Sequence, residues 1–240
     1  MKNYIILIIF SLSFTNNFAQ ISTDRPDQTE GTHVLKNGNF QIESGWTFNS
    51  DGGSLNNLLR IGTFKGIELR FSTNLISGHE VMVGESYIKK SGLFPALDNL
   101  EFGAKFKILD KKETLTKISF LSHLSVSTEY SDNSGGLLNR ILVSHELSES
   151  FELAYNLGYS KYFEQDNGLV VYSLVVAKSF GNLGAFVEIF GDSYSSWDLG
   201  ITYLIKDNLQ ADISYGQGIN NELSYLSIGA AWNFSLKSNK

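Results

Sequence analysis

Ionisable residues recur at every second position in several segments of this chain. Glu68 and Arg70 are two residues apart, as are Lys105 and Lys107. On an extended strand, side chains two residues apart point to the same face. Such a face can line a water-filled passage that selects solutes by charge, or it can close a narrow interior with ion pairs. We predict that this face includes Glu43, Arg60, Glu68, Arg70, Glu101, Lys105, Lys107, Arg140, Glu152, Glu188, Asp198 and Asp212.

The signs of these charges are unevenly distributed along the sequence. The basic members lie on the second to sixth predicted strands, whereas the later strands offer mostly acids. If the strands close into a barrel, one wall of the interior should be basic and the opposite wall acidic. The sequence leaves open whether water separates these walls or ion pairs join them.

A second charged group precedes the first alternating segment. It comprises Asp24, Arg25, Asp27 and Glu30, within a polar stretch that runs from residue 20 to residue 38. This stretch could be a solvated leader or a stub that binds a partner. It could also be a periplasmic segment that enters the interior and gates it, so these four residues are our candidate gate.

The elements that must position these residues are strands. From Asn39 onward, about a dozen segments alternate apolar and polar residues, with turn residues between them. One example places Phe102, Ala104 and Phe106 on one face and Lys105 and Lys107 on the other. Short connections, near residues 65–66, 110–113, 148–150, 181–182 and 206–208, alternate with mostly longer ones, near 50–54, 76–99, 127–136, 162–167, 191–196 and 217–221.

A soluble β-sandwich and a membrane β-barrel would both produce this alternation. Alternating short and long connections are typical of outer-membrane barrels. The aromatic residues also separate into two groups, as expected for girdles at the two membrane interfaces. The first group, near the periplasmic ends, is Phe40, Phe106, Phe120, Phe151, Phe180, Tyr203, Trp232 and Phe234; the second, near the outer ends, is Trp46, Phe48, Tyr155, Tyr159, Tyr172, Trp197 and Tyr215. We therefore predict an all-β, antiparallel transmembrane barrel of about twelve strands.

The composition and the first residues fit an exported membrane protein. Residues 1–19 combine Lys2 with an apolar run and end at Ala19, which is typical of a cleaved signal peptide. The predicted organisation is a signal peptide at 1–19, a periplasmic segment at 20–38, a barrel at 39–234 and a short polar tail at 235–240. The net charge of −6 argues against a nucleic-acid partner. The absence of cysteine excludes disulfides and thiolate metal sites.

One arrangement could carry catalysis. His123 and Ser125 share a face, with Asn139 on the next predicted strand, and this set is similar to the Ser-His-Asn arrangement of the outer-membrane phospholipase. Here the shared face is the interior, whereas a lipase must face lipid. His33, His79 and His145 are scattered. We therefore predict no enzyme activity, no metal site and no cofactor.

Several segments resemble one known family. The stretch Thr23–Glu30, which reads TDRPDQTE, is followed by GNFQIE at residues 38–43, and similar pieces follow at 59–62, 67–70, 102–105, 186–188 and 211–213. Together they resemble the outer-membrane family of the MetA-pathway of phenol degradation, over most of the chain. The resemblance implies a barrel that passes small molecules, aromatic ones among them.

These observations predict a passive channel or transporter in the outer membrane of a Gram-negative bacterium. The alternative is a structural or interaction barrel whose lumen is closed by salt bridges, and a lipid hydrolase is a third candidate. The expected partners are outer-membrane lipid, an unidentified small solute and the barrel-assembly machinery. We also expect the long connection at 76–99 to cover the outer mouth, because it carries apolar residues that need burial.

Overall fold

The computed structural model describes residues 21–50, 52–77, 80–83, 86–89, 96–111, 114–128, 135–220 and 223–235. The predicted signal peptide at 1–19 and most of the predicted tail lie outside these ranges. No helix among the described residues is long and apolar enough to cross a membrane. The strands are β1 (Asn39–Asn49), β2 (Gly52–Phe64), β3 (Ile67–Ser77), β4 (Glu80–Val83), β5 (Ser86–Lys89), β6 (Ala96–Leu109), β7 (Thr116–Ser127), β8 (Gly136–Ser148), β9 (Phe151–Tyr162), β10 (Leu169–Phe180), β11 (Leu183–Gly191), β12 (Ser195–Lys206), β13 (Leu209–Gly218) and β14 (Ser224–Ser235).

Twelve of these strands form one closed antiparallel barrel, which confirms the predicted fold class. Each barrel strand pairs with its neighbours in sequence, except that β3 pairs directly with β6. The barrel closes where β1 pairs with β14, from Asn39 opposite Ser235 to Asn49 opposite Tyr225. Closure leaves no free sheet edge, so the ladder satisfies the backbone hydrogen bonds that lipid could not.

The burial pattern is the inverse of that in a soluble protein. Arg60 and Lys105 have no solvent exposure, whereas Phe102 and Ile141 are half exposed on the outer surface. Alternation along β2, β6 and β8 produces this inversion, because consecutive side chains point to opposite faces. A lysine at the bilayer midplane costs roughly 2–4 kcal/mol when it faces lipid. The period-two pattern therefore fixes which face is the lumen.

The two ends of the barrel differ as the connections predict. Two-residue turns at 65–66, 149–150, 181–182 and 207–208 lie at the same end as Asn39 and Ser235, and by this criterion that end is periplasmic. Phe40 stacks on Phe234 there, with ring centroids 5.5 Å apart. At the other end, Trp197 and Tyr215 meet edge to face at 6.0 Å. The prediction for Tyr155 is wrong, because it is only the fifth residue of β9 from the periplasmic side.

The long connection contains more regular structure than expected. Strand β3 continues to Ser77, and β6 begins at Ala96. Between them, β4 and β5 pair as a separate two-stranded sheet. Residues 78–79, 84–85 and 90–95 lie outside the described residues, so the cover predicted for the outer mouth remains a prediction.

Candidate functional site

Residues 21–38 lie inside the barrel, and we call them the lumen segment. The segment joins the wall at Gly38, whose amide donates to the Gly62 carbonyl at 2.9 Å. A Cβ atom at Gly62 would lie 2.0 Å from the Lys36 carbonyl oxygen, so glycine is needed for this close approach. Leu35 is buried beside it, with 2% exposure. The sequence left open whether this stretch is a solvated leader, a stub that binds a partner or a periplasmic segment that enters the lumen, and in this structure it lies in the lumen.

One wall of the lumen holds Arg60, Arg70 and Lys105, which we call the cationic cluster. Strands β2, β3 and β6 are neighbours and carry one member each at inward positions. The wall supplies two carboxylates of its own. Glu43 and Glu68 lie 3.0 and 2.8 Å from Arg60.

The lumen segment supplies two further carboxylates to this cluster. Asp24 Oδ2 lies 2.5 Å from Arg70, 3.0 Å from Lys105 and 3.3 Å from Arg60. Glu30 lies 3.0 Å from Arg70 and 3.6 Å from Lys105. The contacts between the segment and this wall are therefore mainly charge-assisted hydrogen bonds, which are the stronger kind.

The ionisation of Asp24 depends on the cluster. Burial raises the pKa of this carboxyl, but the charges of Arg60, Lys105 and Arg70 lower it by more, so its pKa lies well below the ordinary value of 3.8. Asp24 is therefore an anion at neutral pH when the segment is in place. Its second oxygen accepts from the Gly31 amide at 2.8 Å, which holds the segment in a compact turn.

The opposite wall is acidic and receives donors from the segment. Glu188, on β11, accepts from the amides of Gln28 and Thr29 at 2.5 and 3.0 Å, and from the Thr29 hydroxyl at 2.6 Å. Arg25 Nη2 lies 3.2 Å from Asp212 on β13. The segment thus presents carboxylates to the basic wall and a guanidinium and amides to the acidic wall.

Arg25 occupies a site that we call the arginine seat, formed by Asp212, Ser227, Gly45 and Gly229. Gly45 and Gly229 are direct partners across the β1–β14 pair. A Cβ atom would lie 2.0 Å from Arg25 Cζ at Gly45 and 2.7 Å from Arg25 Nε at Gly229. The guanidinium therefore fills space that both positions leave open by lacking a side chain. It also donates to Ser227 at 2.8 Å.

Three acidic residues lie together beside the arginine seat: Asp27, Glu188 and Asp198. Burial raises the pKa of Asp27, and the nearby carboxylates of Glu188, Asp198 and Asp24 raise it further, so its pKa is well above 3.8. Asp198 is opposite Glu188 in the β11–β12 register, and it accepts from the Tyr225 hydroxyl at 2.6 Å. Among the described residues, no group of histidine, aspartate and glutamate could hold a metal ion.

Cavities lie on both sides of the lumen segment. The periplasmic cavity has a volume of about 710 Å³, and two outer cavities have volumes of about 430 and 320 Å³. The periplasmic cavity shares Arg25, Pro26 and Asp27 with the 320 Å³ cavity, and it shares only Arg25 with the 430 Å³ cavity. A thin layer of the segment therefore separates the two sides.

The family follows from comparison of the sequence with known families. The model of the family described as "Putative MetA-pathway of phenol degradation" matches residues 23–236. The chain belongs to this family. The match begins within the lumen segment, so the segment is part of the family's sequence pattern. A comparison with curated proteins finds none that matches.

Solved structures share the fold of this family member at low sequence identity. The KdgM porin superposes with a TM-score of 0.61 at 9% identity, covering 81% of this chain and 99% of the porin. The COG4313 outer membrane channel from Pseudomonas putida F1 gives 0.57 at 11% identity, covering 84% and 97%. The NanC porin gives 0.57 at 8% identity, covering 80% and 98%. At these identities the likeness shows the fold, a closed antiparallel barrel of the kind found in porins and in this outer membrane channel.

Most of the residues predicted for the charged face lie inside the barrel. Eight are buried, with at most 7% exposure: Glu43, Arg60, Glu68, Arg70, Lys105, Glu188, Asp198 and Asp212. Glu101 and Arg140 border an outer cavity, and Glu152 borders the periplasmic one. Lys107 is the exception, because it is exposed at the rim and pairs with Asp110 at 2.5 Å. The pairing register shifts between Lys107 and Leu109, so the regular alternation ends there.

The residues considered for catalysis lie inside the barrel as well. His123 Nδ1 is 3.4 Å from Glu101, and its ring lies against Gly103 on β6. The Ser125 hydroxyl accepts from the Asn99 amide at 3.4 Å. Among the described residues, the imidazole of His123 contacts Glu101 and not the Ser125 hydroxyl. The hydrogen-bonded pair of base and nucleophile that this arrangement would need is therefore not seen there.

Sequence reasoning missed the glycines and hydroxyls of the arginine seat. Gly45 and Gly229 stand at strand interiors, where glycine weakens pairing and often marks the close approach of another group. That signal was available for each glycine separately. Their direct opposition becomes visible only once β1 and β14 are paired.

Proposed function

We propose that this protein is a channel for small solutes in the outer membrane of a Gram-negative bacterium, and that the lumen segment is its gate. The observation that supports this proposal is the position of the segment, which crosses the lumen and binds both walls. The docked arrangement corresponds to a closed state. Displacement of the segment would join the periplasmic and outer cavities.

Three features favour a movable segment. It joins the barrel wall covalently at one described end, through Gly38. The contacts of Asp24, Arg25 and Thr29 with the wall are polar, and water can replace them. Its most deeply buried apolar side chains, Val34 and Leu35, lie close to the attachment, and Ile21, at the other end of the described segment, is 9% exposed. The part that separates the cavities can therefore leave without a large loss of apolar burial.

The solutes that we propose are small and include aromatic compounds. A further outer cavity of about 370 Å³ has Tyr172, Phe190 and Tyr194 in its lining. Such rings can stack on an aromatic solute. The family description names phenol degradation, which is the second support for this class.

A permanently closed barrel is the second candidate. Arg60, Glu43 and Glu68 have no exposure and form ion pairs in contact. Removing one partner from a buried ion pair costs roughly 3–5 kcal/mol. A network of this kind could serve a purely structural role, with the segment as its central part.

The first test is the conductance of Asp24→Asn in planar bilayers. This change removes the charge shared by the three cations, and we expect it to shift the docking equilibrium on the order of a hundredfold or more. Conductance and liposome swelling with neutral sugars should rise. Asp166→Asn, in the exposed β9–β10 connection, changes the net charge equally and should behave as the wild type.

Accessibility of a single cysteine separates the two candidates. The chain has no cysteine, and Ser227 is 3% exposed beneath Arg25. In the Ser227→Cys protein, a membrane-impermeant maleimide should label slowly, and Asp24→Asn should accelerate this labelling. Fast labelling without conductance in a folded barrel would favour a structural role and contradict the channel.

A further inference from the structure

The cationic cluster is incompletely balanced by the barrel itself. Its three cations face two wall carboxylates, Glu43 and Glu68. Asp24 and Glu30 of the lumen segment provide the remaining negative charge. When the segment leaves, one positive charge loses its partner in a narrow interior, where an unpaired charge is costly. The vacated cluster should therefore attract an anion.

The geometry of the occupied cluster resembles that of a bound dicarboxylate. Asp24 accepts hydrogen bonds from Arg70 and Lys105 and lies 3.3 Å from Arg60. Glu30 bridges Arg70 and Lys105 at 3.0 and 3.6 Å. The two carboxylates come from one short stretch of chain. Guanidinium groups bind planar carboxylates with more than one hydrogen bond, and Arg70 retains a buried Nε that has no partner among the described residues.

The cluster is also reachable from outside before the segment moves. Arg70 and Glu30 both line the outer cavity of about 430 Å³. A solute in this cavity meets the edge of the cluster directly. It could then replace Glu30 on Arg70 first and Asp24 afterwards.

We propose that the cationic cluster is a binding site for small dicarboxylate solutes, and that Asp24 and Glu30 occupy it as an internal competitor. A dicarboxylate that binds the cluster excludes the segment, so it opens the channel. This inference rests on the proposed function, because it assumes that the segment can leave. By linkage, a ligand that binds only the undocked state shifts the equilibrium toward that state.

The test uses the full chain with succinate as the probe. Open probability in planar bilayers should rise and saturate with sodium succinate at constant ionic strength, and maleimide labelling of the Ser227→Cys protein should accelerate in parallel. Succinamide, which has the same length but no charge, should have no effect. Sodium chloride and inorganic phosphate at the same ionic strength test for a general anion effect, and an equal response to either would overturn the dicarboxylate class.

Two variants locate the site. Arg70→Gln should weaken the succinate response roughly tenfold or more, as expected for the loss of charge-assisted hydrogen bonds. Lys107→Gln, on the neighbouring strand β6 but exposed at the rim, should keep the response. An unchanged response in Arg70→Gln would place binding elsewhere and overturn the proposal.

The gate and the dicarboxylate site can fail separately. If Asp24→Asn opens the channel but succinate has no effect on the wild type, the dicarboxylate site is wrong and the gate stands. If Asp24→Asn accelerates labelling of the Ser227→Cys protein without raising conductance, the proposed function itself is wrong. Heat-modifiable gel mobility confirms in each case that the barrel has folded.

Discussion

At the scale of single residues, the arginine seat depends on two missing side chains. A methyl group at Gly45 would overlap the Arg25 guanidinium, so Gly45→Ala should move Arg25 away from Asp212. The lost interaction is worth about 1.5–3 kcal/mol for a hydrogen bond between charged groups. We expect higher conductance, and faster maleimide labelling when Gly45→Ala is combined with Ser227→Cys. In an Arg25→Ala background, Gly45→Ala should cause no further rise in conductance. A further rise as large as that in the wild type would show that Gly45→Ala acts by disturbing the strand instead.

The titratable residues of the lumen segment predict two opposing pH effects. Docking raises the pKa of Asp27 through burial and through Glu188, Asp198 and Asp24. The docked state therefore holds its proton more tightly than the free segment. This contribution to docking is fully present below the pKa that Asp27 has in the free segment. It is lost as the pH rises through the pKa that Asp27 has in the docked segment. Acidification from neutral pH should strengthen docking through Asp27.

The effect of pH on docking through His33 has the opposite sign. Burial lowers its pKa below 6.5, and Arg60 lowers it further, with Glu68 opposing and Lys107 and Lys105 adding to the decrease. The docked state therefore prefers neutral His33, and docking weakens as the pH falls below 6.5. The ring borders the periplasmic cavity, where solvent can screen its interaction with Arg60, so this effect should be the smaller one.

Variants separate the two effects. Conductance measured from pH 7 to pH 4 should fall with acid in His33→Gln, where Asp27 acts alone. It should rise with acid in Asp27→Asn, where His33 acts alone. Slopes of the same sign in the two variants would contradict this assignment.

At the scale of strands, the sequence predicts the wall well and the segment poorly. Period-two alternation places Lys105 inside and Phe106 outside, because a slip of one residue would reverse every side chain of β6. Lys107 keeps the parity of Lys105, but it is exposed because it lies at the rim, near the end of the strand. Residues 21–38 carry no periodicity, and their position depends on the shape and charge of a lumen that exists only after closure. The predicted gate residues could therefore be named, but their partners could not.

The β4–β5 hairpin is an element that the barrel should not need. Strand β3 pairs directly with β6, as far as Ile76 opposite Ala96. Deleting residues 79–93 leaves this ladder intact. We therefore expect unchanged heat-modifiable mobility and an unchanged unfolding temperature. A large loss of stability would show that the hairpin supports the wall.

At the scale of the whole molecule, the lumen is electrically lopsided and the segment bridges its two sides. The cationic cluster lies on β2, β3 and β6, whereas Glu188, Asp198 and Asp212 lie on β11, β12 and β13. Contact pairs neutralise much of the basic wall, since Glu43 and Glu68 lie among its cations. The segment carries Asp24 and Glu30 toward one wall and Arg25 toward the other. Its orientation is therefore determined by charge on both sides.

A charge swap across the arginine seat tests this bridging. Arg25→Asp should place two carboxylates together and open the channel, because like charges in a confined site repel. Asp212→Arg should do the same by opposing two guanidinium groups. The double variant recreates an attractive pair with reversed polarity, so its conductance should return toward that of the wild type, as should maleimide labelling in the Ser227→Cys background.

Combining Arg25→Asp with Asp207→Arg, in the exposed β12–β13 turn, restores the net charge without restoring the pair, and that protein should stay open. Closure of this control would mean that net charge, rather than the contact between Arg25 and Asp212, holds the segment in the lumen.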